Sequence, residues 1–141
     1  MKTLSQQLNI QPGDVLIAPK SSLNILKHMI VYWGVDANGD DFYLENSPQA
    51  GVQWLTEQSL RQQYEIITVR KFCGTPHERT QAISRAESVI GQKYDLTTFN
   101  CEHYANYVQT GASFSKQASN GIGVGLAALG LMVVASSLAK G

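Results

Sequence analysis

Two residues of this sequence, a cysteine and a histidine, are of the types that could perform chemistry together. Cys101 stands in the run Asn100-Cys101-Glu102-His103-Tyr104, where a helix is predicted to begin, and His28 lies far upstream in an apolar, β-like run. The thiolate is the nucleophilic form of cysteine, and its ordinary pKa of about 8.5 falls at a helix N-terminus or beside a charged histidine. The pattern predicts that Cys101 is a nucleophile and that His28 is its general base and acid.

The other cysteine, Cys73, and the nearby His103 have simpler interpretations. A free cysteine is most often a small buried hydrophobe, and we assign no function to Cys73. His103 follows Cys101 by two positions and therefore points to another side of a helix, so we expect it to have a structural or capping role. We expect no metal site, because the cysteines and histidines do not form the closely spaced pairs of zinc-binding sequences.

A polar residue that fixes the imidazole completes sites of this kind. Glu45-Asn46 ends the strand after a predicted hairpin turn, and the hairpin would return it toward the start of the His28 strand. The carbonyl oxygen of Asn46 could accept a hydrogen bond from the imidazole without adding charge, whereas Glu45 would add a carboxylate that raises the histidine pKa. Asn46 is the predicted orienting residue, and Glu45 is the alternative.

The first half of the chain is predicted to form the sheet that carries the histidine. Its apolar and β-branched runs are separated by turn signals, and the turn at residues 36–40 makes the His28 run and the next one an antiparallel hairpin. A polar, possibly helical link precedes the last run. The predicted strands cover residues 15–18, 28–34, 42–45, 51–54 and 64–69.

The second half is predicted to be helical. Thr75, Pro76 and Glu78 make a capping-box pattern at the start of one helix, and a second helix is predicted from about residue 100 to 109. On that second helix Cys101 shares one face with Ala105, which would direct the thiol toward the core and the sheet. The predicted fold class is α+β, with a small antiparallel sheet packed against helices.

The overall composition limits the classes of function. The chain has 141 residues, of which 43% are apolar, enough for one core without a second globular domain. Eleven basic residues balance eleven acidic ones, so we expect no nucleic-acid partner. Two cysteines cannot build a disulfide framework, and residues 1–11 lack the pattern of a leader. We therefore expect free thiols in a reducing environment that faces the cytosol.

A long uncharged segment follows the predicted helices. From Gly121 to Ala139 there is no charged residue, and Lys116 and Lys140 flank the segment. At about 1.5 Å per residue, a helix of this length nearly matches a hydrocarbon core roughly 30 Å thick. We expect the segment to insert into a membrane or to associate tightly with one. A helix that packs against the domain or a partner is the alternative.

The sequence contains four distinctive segments in this order: Pro12-Gly13-Asp14-Val15-Leu16, His28-Met29-Ile30-Val31-Tyr32-Trp33-Gly34, Ile90-Gly91-Gln92-Lys93-Tyr94 and Asn100-Cys101-Glu102-His103-Tyr104. The same order is seen in the lecithin:retinol acyltransferase-like family, and within that family the chain resembles the small phospholipase/N-acyltransferases. The resemblance covers about residues 10–111. It divides the chain into an N-terminal tail (1–9), a catalytic domain (10–113), a linker (114–120) and a hydrophobic helix (121–139).

The resemblance implies a fold similar to that of NlpC-type papain-like peptidases, but circularly permuted so that the catalytic histidine precedes the cysteine. His28 does precede Cys101. On the matching positions Cys101 is the nucleophile and His28 the base. Family members typically have a second histidine as the third polar residue, where this sequence has Glu45-Asn46, so the identity of the orienting residue stays open.

The implied activity is that of a thiol-dependent acyltransferase or phospholipase A-type hydrolase. A glycerophospholipid ester would transfer its acyl group to Cys101, and the resulting thioester would pass it to water, an amine or an alcohol. No metal or organic cofactor is implied. The implied partners are the phospholipid and the membrane, with the catalytic domain on the cytoplasmic side. The alternatives are an NlpC-type cysteine peptidase or amidase, and a catalytically silent membrane-interaction module.

Overall fold

The α+β architecture that the sequence predicts is confirmed by a computed structural model, which describes residues 1–20 and 26–115. One five-stranded antiparallel sheet is flanked by helices. The circular permutation stays a prediction. The elements in chain order are α1 (Leu4–Leu8), β1 (Val15–Pro19), β2 (Lys27–Val35), β3 (Asp41–Ser47), β4 (Gly51–Thr56), α2 (Glu57–Gln63), β5 (Thr68–Arg70), α3 (Pro76–Ser88) and α4 (Cys101–Thr110).

The strands lie in the order β4-β3-β2-β1-β5. The predicted hairpin is formed by β2 and β3 around the turn at residues 36–40. The prediction of a strand from residue 64 to 69 was wrong at its start, because Tyr64 closes α2 by donating its N–H to the Leu60 carbonyl. Only the last two residues of that run, Thr68 and Val69, pair with β1, together with Arg70.

Both faces of the sheet are covered. On one face, α3 and α4 pack around buried residues that include Val31 and Leu44. On the other, α1 and α2 pack around a second cluster that includes Ile30 and Tyr43. Successive side chains of a strand point to opposite faces, so His28 and Glu45 belong to this second face. Burial on both faces is the main source of stability in such a layered domain.

The sheet opens at one end, between β2 and β3. Their pairing begins at Ile30 and Glu45, and beyond that point Asn46 and Ser47 pair with β4. The start of β2 pairs on its other side with β1, where His28 lies opposite Ala18. The two central strands therefore part at the level of His28, and the first turn of α4 reaches the sheet there.

Both ends of the chain were assigned from the sequence to segments outside the domain. Residues 4–8, within the assigned tail, form α1, and Leu4 is buried. The limits of the domain stay a prediction. The uncharged segment 121–139 lies outside the described residues. Of the residues that the structure does describe, none belongs to a helix with the length and apolar character needed to span a membrane.

Candidate active site

Cys101 is the first residue of α4, and its side chain is fully buried. The side-chain oxygen of Asn100 accepts hydrogen bonds from the backbone N–H groups of Glu102 and His103 at 2.9 and 3.0 Å. In return, Nδ1 of His103 accepts the N–H of Asn100 at 3.0 Å, which confirms the predicted capping role of His103. The N-terminus of a helix favours negative charge, so the thiol stands where a thiolate is stabilised.

The thiol of Cys101 meets the first residues of β2 at the opening of the sheet. Its Sγ lies 3.6 Å from the carbonyl oxygen of Lys27, which accepts from it. The backbone N–H of Met29 and the imidazole of His28 also form hydrogen bonds with it. The carbonyl suits the protonated thiol, and the N–H suits the thiolate. The predicted nucleophile and base are therefore side by side, and their catalytic roles stay predictions.

The residue at the outer nitrogen of the imidazole is Glu45. Nε2 of His28 lies 2.8 Å from Oε1 of Glu45, and the two side chains are 3% and 1% exposed. The reason is a bulge between Tyr32 and Gly34, which shifts the β2–β3 register by one residue. Such a slip exchanges the side chains that face each side. Without it, Asn46 would stand opposite Ile30; with it, Glu45 does.

The expectation that Asn46 contacts the imidazole is corrected by this register. The Nδ2 of Asn46 donates instead to the carbonyl of Phe99 at 2.8 Å, and its Oδ1 is buried without a hydrogen-bond partner. Phe99 lies two residues before Cys101, on the turn that leads into α4. Asn46 therefore links the end of β3 to the segment that leads to Cys101.

Sequence reasoning missed two residues that hold Glu45. The hydroxyl of Tyr64 donates to Oε1 at 2.9 Å, and Nε2 of Gln53 donates to Oε2 at 2.6 Å. The ring of Tyr64 also stacks on the His28 imidazole, with centroids 4.7 Å apart and planes 23° from parallel. The pairing of β3 with β4 sets Gln53 opposite Glu45, which a hairpin alignment could have found. No sequence signal marks Tyr64, which follows a polar helix.

The charges of the three groups support one another. Burial raises the pKa of the Cys101 thiol, but the hydrogen bond and positive charge of His28 outweigh burial and leave that pKa below its ordinary value. Burial lowers the pKa of His28, and the contacts with Cys101 and Glu45 more than reverse this. Burial also raises the pKa of Glu45, and its hydrogen bonds to His28, Gln53 and Tyr64 bring it below the ordinary value. Each group therefore favours the charged form of its neighbour: thiolate, imidazolium and carboxylate stabilise one another.

Three side chains belong to segments next to the first turn of α4. Lys20, just after β1, has its Nζ 5.8 Å from the centre of the Tyr94 ring, and its charge lowers the pKa of Cys101. Leu26, just before β2, is 49% exposed, and Leu96, on the turn before α4, is 68% exposed. Lys20, Leu26 and Leu96 thus combine a cation with exposed apolar side chains.

The other candidate residues form no second site. Cys73 is exposed and Cys101 is buried, and both are free thiols. Over residues 1–20 and 26–115, no three Cys, His, Asp or Glu side chains come together in a group that could hold a metal ion.

Comparisons with known proteins find a matching family model and several relatives. A family model described as Lecithin retinol acyltransferase matches residues 35–114, more than half of the chain. The matched segment contains Glu45 and Cys101 and begins after His28. A mouse protein named Phospholipase A and acyltransferase 3 is 27% identical over 92% of this chain and 93% of its own length.

Two further relatives match over shorter stretches. Human Phospholipase A and acyltransferase 2 is 38% identical over 44% of this chain and 40% of its own length. Rat Phospholipase A and acyltransferase 1 is 43% identical over 36% of this chain and 32% of its own length. The chain thus spans less than half the length of these two relatives in the matched parts. No solved structure matches the chain.

Proposed function

Because this chain belongs to the lecithin retinol acyltransferase family, we propose that it is a thiol-dependent acyltransferase or phospholipase acting on glycerophospholipid esters. The observation that carries the proposal is the contact of a helix-terminal thiol with an imidazole that is itself held by a buried carboxylate. Cys101 is the nucleophile, His28 the general base and acid, and Glu45 the residue that orients His28. The chain order of His28 and Cys101 supports the permuted papain-like assignment.

The first half-reaction forms a thioester. The Cys101 thiolate attacks the ester carbonyl carbon, and the carbonyl oxygen becomes an oxyanion. The N–H of Cys101 is suited to stabilise that charge, because the first N–H groups of a helix have no partner within it. The imidazolium of His28 then gives its proton to the departing glycerol oxygen. The C–O bond breaks, a lysophospholipid leaves, and the acyl group stays on Cys101.

The second half-reaction regenerates the thiol. Neutral His28 takes a proton from water, an amine or an alcohol, and the resulting nucleophile attacks the thioester. The leaving sulfur becomes the thiolate again, beside a protonated His28. Water gives a phospholipase, an amine an N-acyltransferase, and an alcohol an O-acyltransferase. No step calls for a metal or an organic cofactor.

The end of the described chain lies on the same side of the molecule as Cys101. Gly111 closes α4 in the left-handed region, with φ +81°, and the chain runs back along the helix. At Ser115 the hydroxyl donates to Glu102 at 2.7 Å and accepts from Asn100 at 3.2 Å, both in the first turn of α4. Ser115, the last described residue, therefore lies beside the first turn of α4, close to Cys101.

This placement supports a lipid surface as the partner. A segment of residues 121–139 bound to a membrane would bring Lys20, Leu26 and Leu96 toward the lipid, since Ser115, the last described residue, lies beside the first turn of α4. It would also replace a search in solution by a local one. The domain would lie on the cytoplasmic side, which agrees with its two free thiols.

The direct test is mass spectrometry of Cys101 after incubation of the full chain with phosphatidylcholine vesicles. We expect an acyl adduct on Cys101, which decays with release of fatty acid or with transfer to an added amine. Cys101→Ala should abolish the adduct and the turnover, because the attacking sulfur is gone. Cys73→Ala, at the exposed cysteine, is the matched control and should keep both.

Turnover of phosphatidylcholine by Cys101→Ala would refute the mechanism. Cleavage of peptides without release of fatty acid from vesicles would instead identify a cysteine peptidase or amidase. A wild-type Cys101 that neither acylates nor reacts with iodoacetamide at neutral pH would identify a silent membrane-interaction module.

The role of the uncharged segment is tested by deleting residues 121–141. We expect that the shortened chain no longer sediments with phosphatidylcholine vesicles, because the apolar anchor is removed. Its turnover should fall more on vesicles than on soluble short-chain phospholipids. Equal sedimentation of the two chains would contradict the anchor.

A further inference from the structure

We propose that Tyr64 is a positioning residue of the site, which acts on Cys101 through His28 and Glu45 together. The proposal rests on the proposed roles of those three residues. It concerns a side chain outside the nucleophile, the base and the orienting carboxylate. Tyr64 reaches the site from the C-terminal end of α2, where it caps the helix.

The contacts of Tyr64 fix two different degrees of freedom. Its ring lies nearly parallel to the His28 imidazole, with centroids 4.7 Å apart, so the imidazole cannot turn about its side-chain torsion without losing the stack. Its hydroxyl donates to Oε1 of Glu45 at 2.9 Å, the oxygen that lies 2.8 Å from Nε2 of His28. One residue thus holds both the plane of the base and the atom that the base contacts.

Gln53 completes the arrangement from the edge strand β4. It donates to Oε2 of Glu45 at 2.6 Å, so each carboxylate oxygen has its own donor besides the histidine. A carboxylate held by donors on both oxygens cannot rotate freely. Tyr64 and Gln53 therefore keep Oε1 directed at the imidazole, while the other ring nitrogen remains available to the thiol of Cys101.

The hydroxyl of Tyr64 also bears on the charge of Glu45. The titratable groups that face this carboxylate are His28 on β2, Tyr64 after α2 and, beyond the imidazole, Cys101 on α4. Burial raises the pKa of Glu45, and the three hydrogen bonds lower it. Removal of one donor shifts that pKa upward, so Glu45 loses its charge at a higher pH, and with it the support for the imidazolium.

The test measures alkylation of Cys101 by iodoacetamide from pH 4.5 to 8 in the full chain, with Cys73→Ala as the background. Tyr64→Phe keeps the stack and removes the hydroxyl. We expect it to slow alkylation roughly threefold to tenfold at the acidic end, in line with the loss of one hydrogen bond. The deficit should shrink toward pH 8. Tyr64→Leu, which also removes the stack, should be slower still at every pH.

A matched control exists in the same sheet. The hydroxyl of Tyr32 donates to the buried carboxylate of Asp41 at 2.9 Å, so Tyr32→Phe removes the same kind of hydrogen bond away from the thiol. We expect its alkylation rates to equal those of the background. Tyr64→Phe combined with Glu45→Gln should add less than about a twofold deficit to Glu45→Gln alone, because the hydroxyl acts through the ionised carboxylate.

Three results would overturn the proposal: no deficit in Tyr64→Phe at any pH, an equal deficit in Tyr32→Phe, or the full deficit in the Glu45→Gln background. Equal rates for Tyr64→Leu and Tyr64→Phe would overturn the part played by the stack. Alkylation needs no lipid, so these results are independent of whether Cys101 takes an acyl group from phosphatidylcholine. Failure of the proposed function and failure of this proposal are thus distinguishable.

Discussion

Strand β3 carries two buried carboxylates, Asp41 at its start and Glu45 near its end, and the two have different contacts. Asp41 and Glu45 are 4% and 1% exposed and point to the same face, about 13 Å apart along the strand. Each accepts a hydrogen bond from a tyrosine hydroxyl at 2.9 Å, Asp41 from Tyr32 and Glu45 from Tyr64. Asp41 and Glu45 therefore each form the same kind of hydrogen-bonded pair with a tyrosine.

The other contacts of Asp41 and Glu45 differ. Asp41 accepts the backbone N–H of Ser5 at 3.0 Å and so closes the start of α1. None of these partners titrates near neutral pH, since burial raises the pKa of Tyr32 to about 12. Glu45 instead contacts His28 and raises the pKa of that imidazole, and His28 in turn contacts Cys101. Under the proposed function, Glu45 belongs to the active site because the imidazole of His28 connects it to Cys101.

The largest expected effect in this comparison comes from Glu45→Gln. It removes the charge that stabilises the imidazolium, and we expect acylation of Cys101 to slow by roughly 10- to 150-fold, the range for a hydrogen bond to a charged group. Glu45 raises the pKa of His28, so its loss lowers that pKa. The alkaline limb of the pH–rate profile should therefore move to lower pH. Rates of adduct formation with phosphatidylcholine, measured across the pH range, check this.

Asp41→Asn is the matched control at the other end of β3. It should reduce the free energy of unfolding by about 1–3 kcal/mol, because a buried hydrogen-bonded charge is lost, and should leave the pH–rate profile of the remaining folded protein in place. A Glu45→Gln profile that coincides with the wild type would break the comparison. So would a shift of the alkaline limb in Asp41→Asn.

Much of the fold follows from local sequence signals. The capping box at Thr75 and Glu78 and the N-cap at Asn100 start helices where the sequence predicts them, because caps satisfy backbone groups that no other residue reaches. The hairpin of β2 and β3 follows from its turn. The segment after residue 63 could not be predicted, because whether Tyr64 continues a strand or closes a helix depends on contacts with distant residues.

The sequence predicts that Cys101 and His28 belong to one site, but it does not predict that Glu45, rather than Asn46, contacts the imidazole. The order of His28 and Cys101 and the helix start at Asn100 are visible in the sequence. The choice between Glu45 and Asn46 depends on the bulge between Tyr32 and Gly34. Both faces of β2 and β3 are buried, so apolar and polar residues do not alternate there and the hydrophobic pattern does not mark the one-residue shift.

The smallest expected effect, and the finest test of the comparison, is that of Tyr32→Phe on stability. Burial raises the pKa of Asp41, while hydrogen bonds from Ser5 and Tyr32 lower it below the ordinary value. A carboxyl with a lowered pKa stabilises the folded state above its unfolded pKa, and this stabilisation is lost as the pH falls through the folded pKa. Without the Tyr32 hydroxyl, the folded pKa rises toward the unfolded one.

We therefore expect Tyr32→Phe to lower the free energy of unfolding by about 1 kcal/mol at pH 7, with a smaller difference once Asp41 is protonated. Urea unfolding of both proteins at pH 7 and at pH 3 measures the two differences. A difference that stays constant with pH would mean that the hydroxyl contributes only packing, and that the two carboxylate–tyrosine pairs are not equivalent. A difference that shrinks on acidification would mean that the two carboxylate–tyrosine pairs are equivalent. The contacts of Glu45 with His28, and through it with Cys101, would then be what distinguishes Glu45 from Asp41.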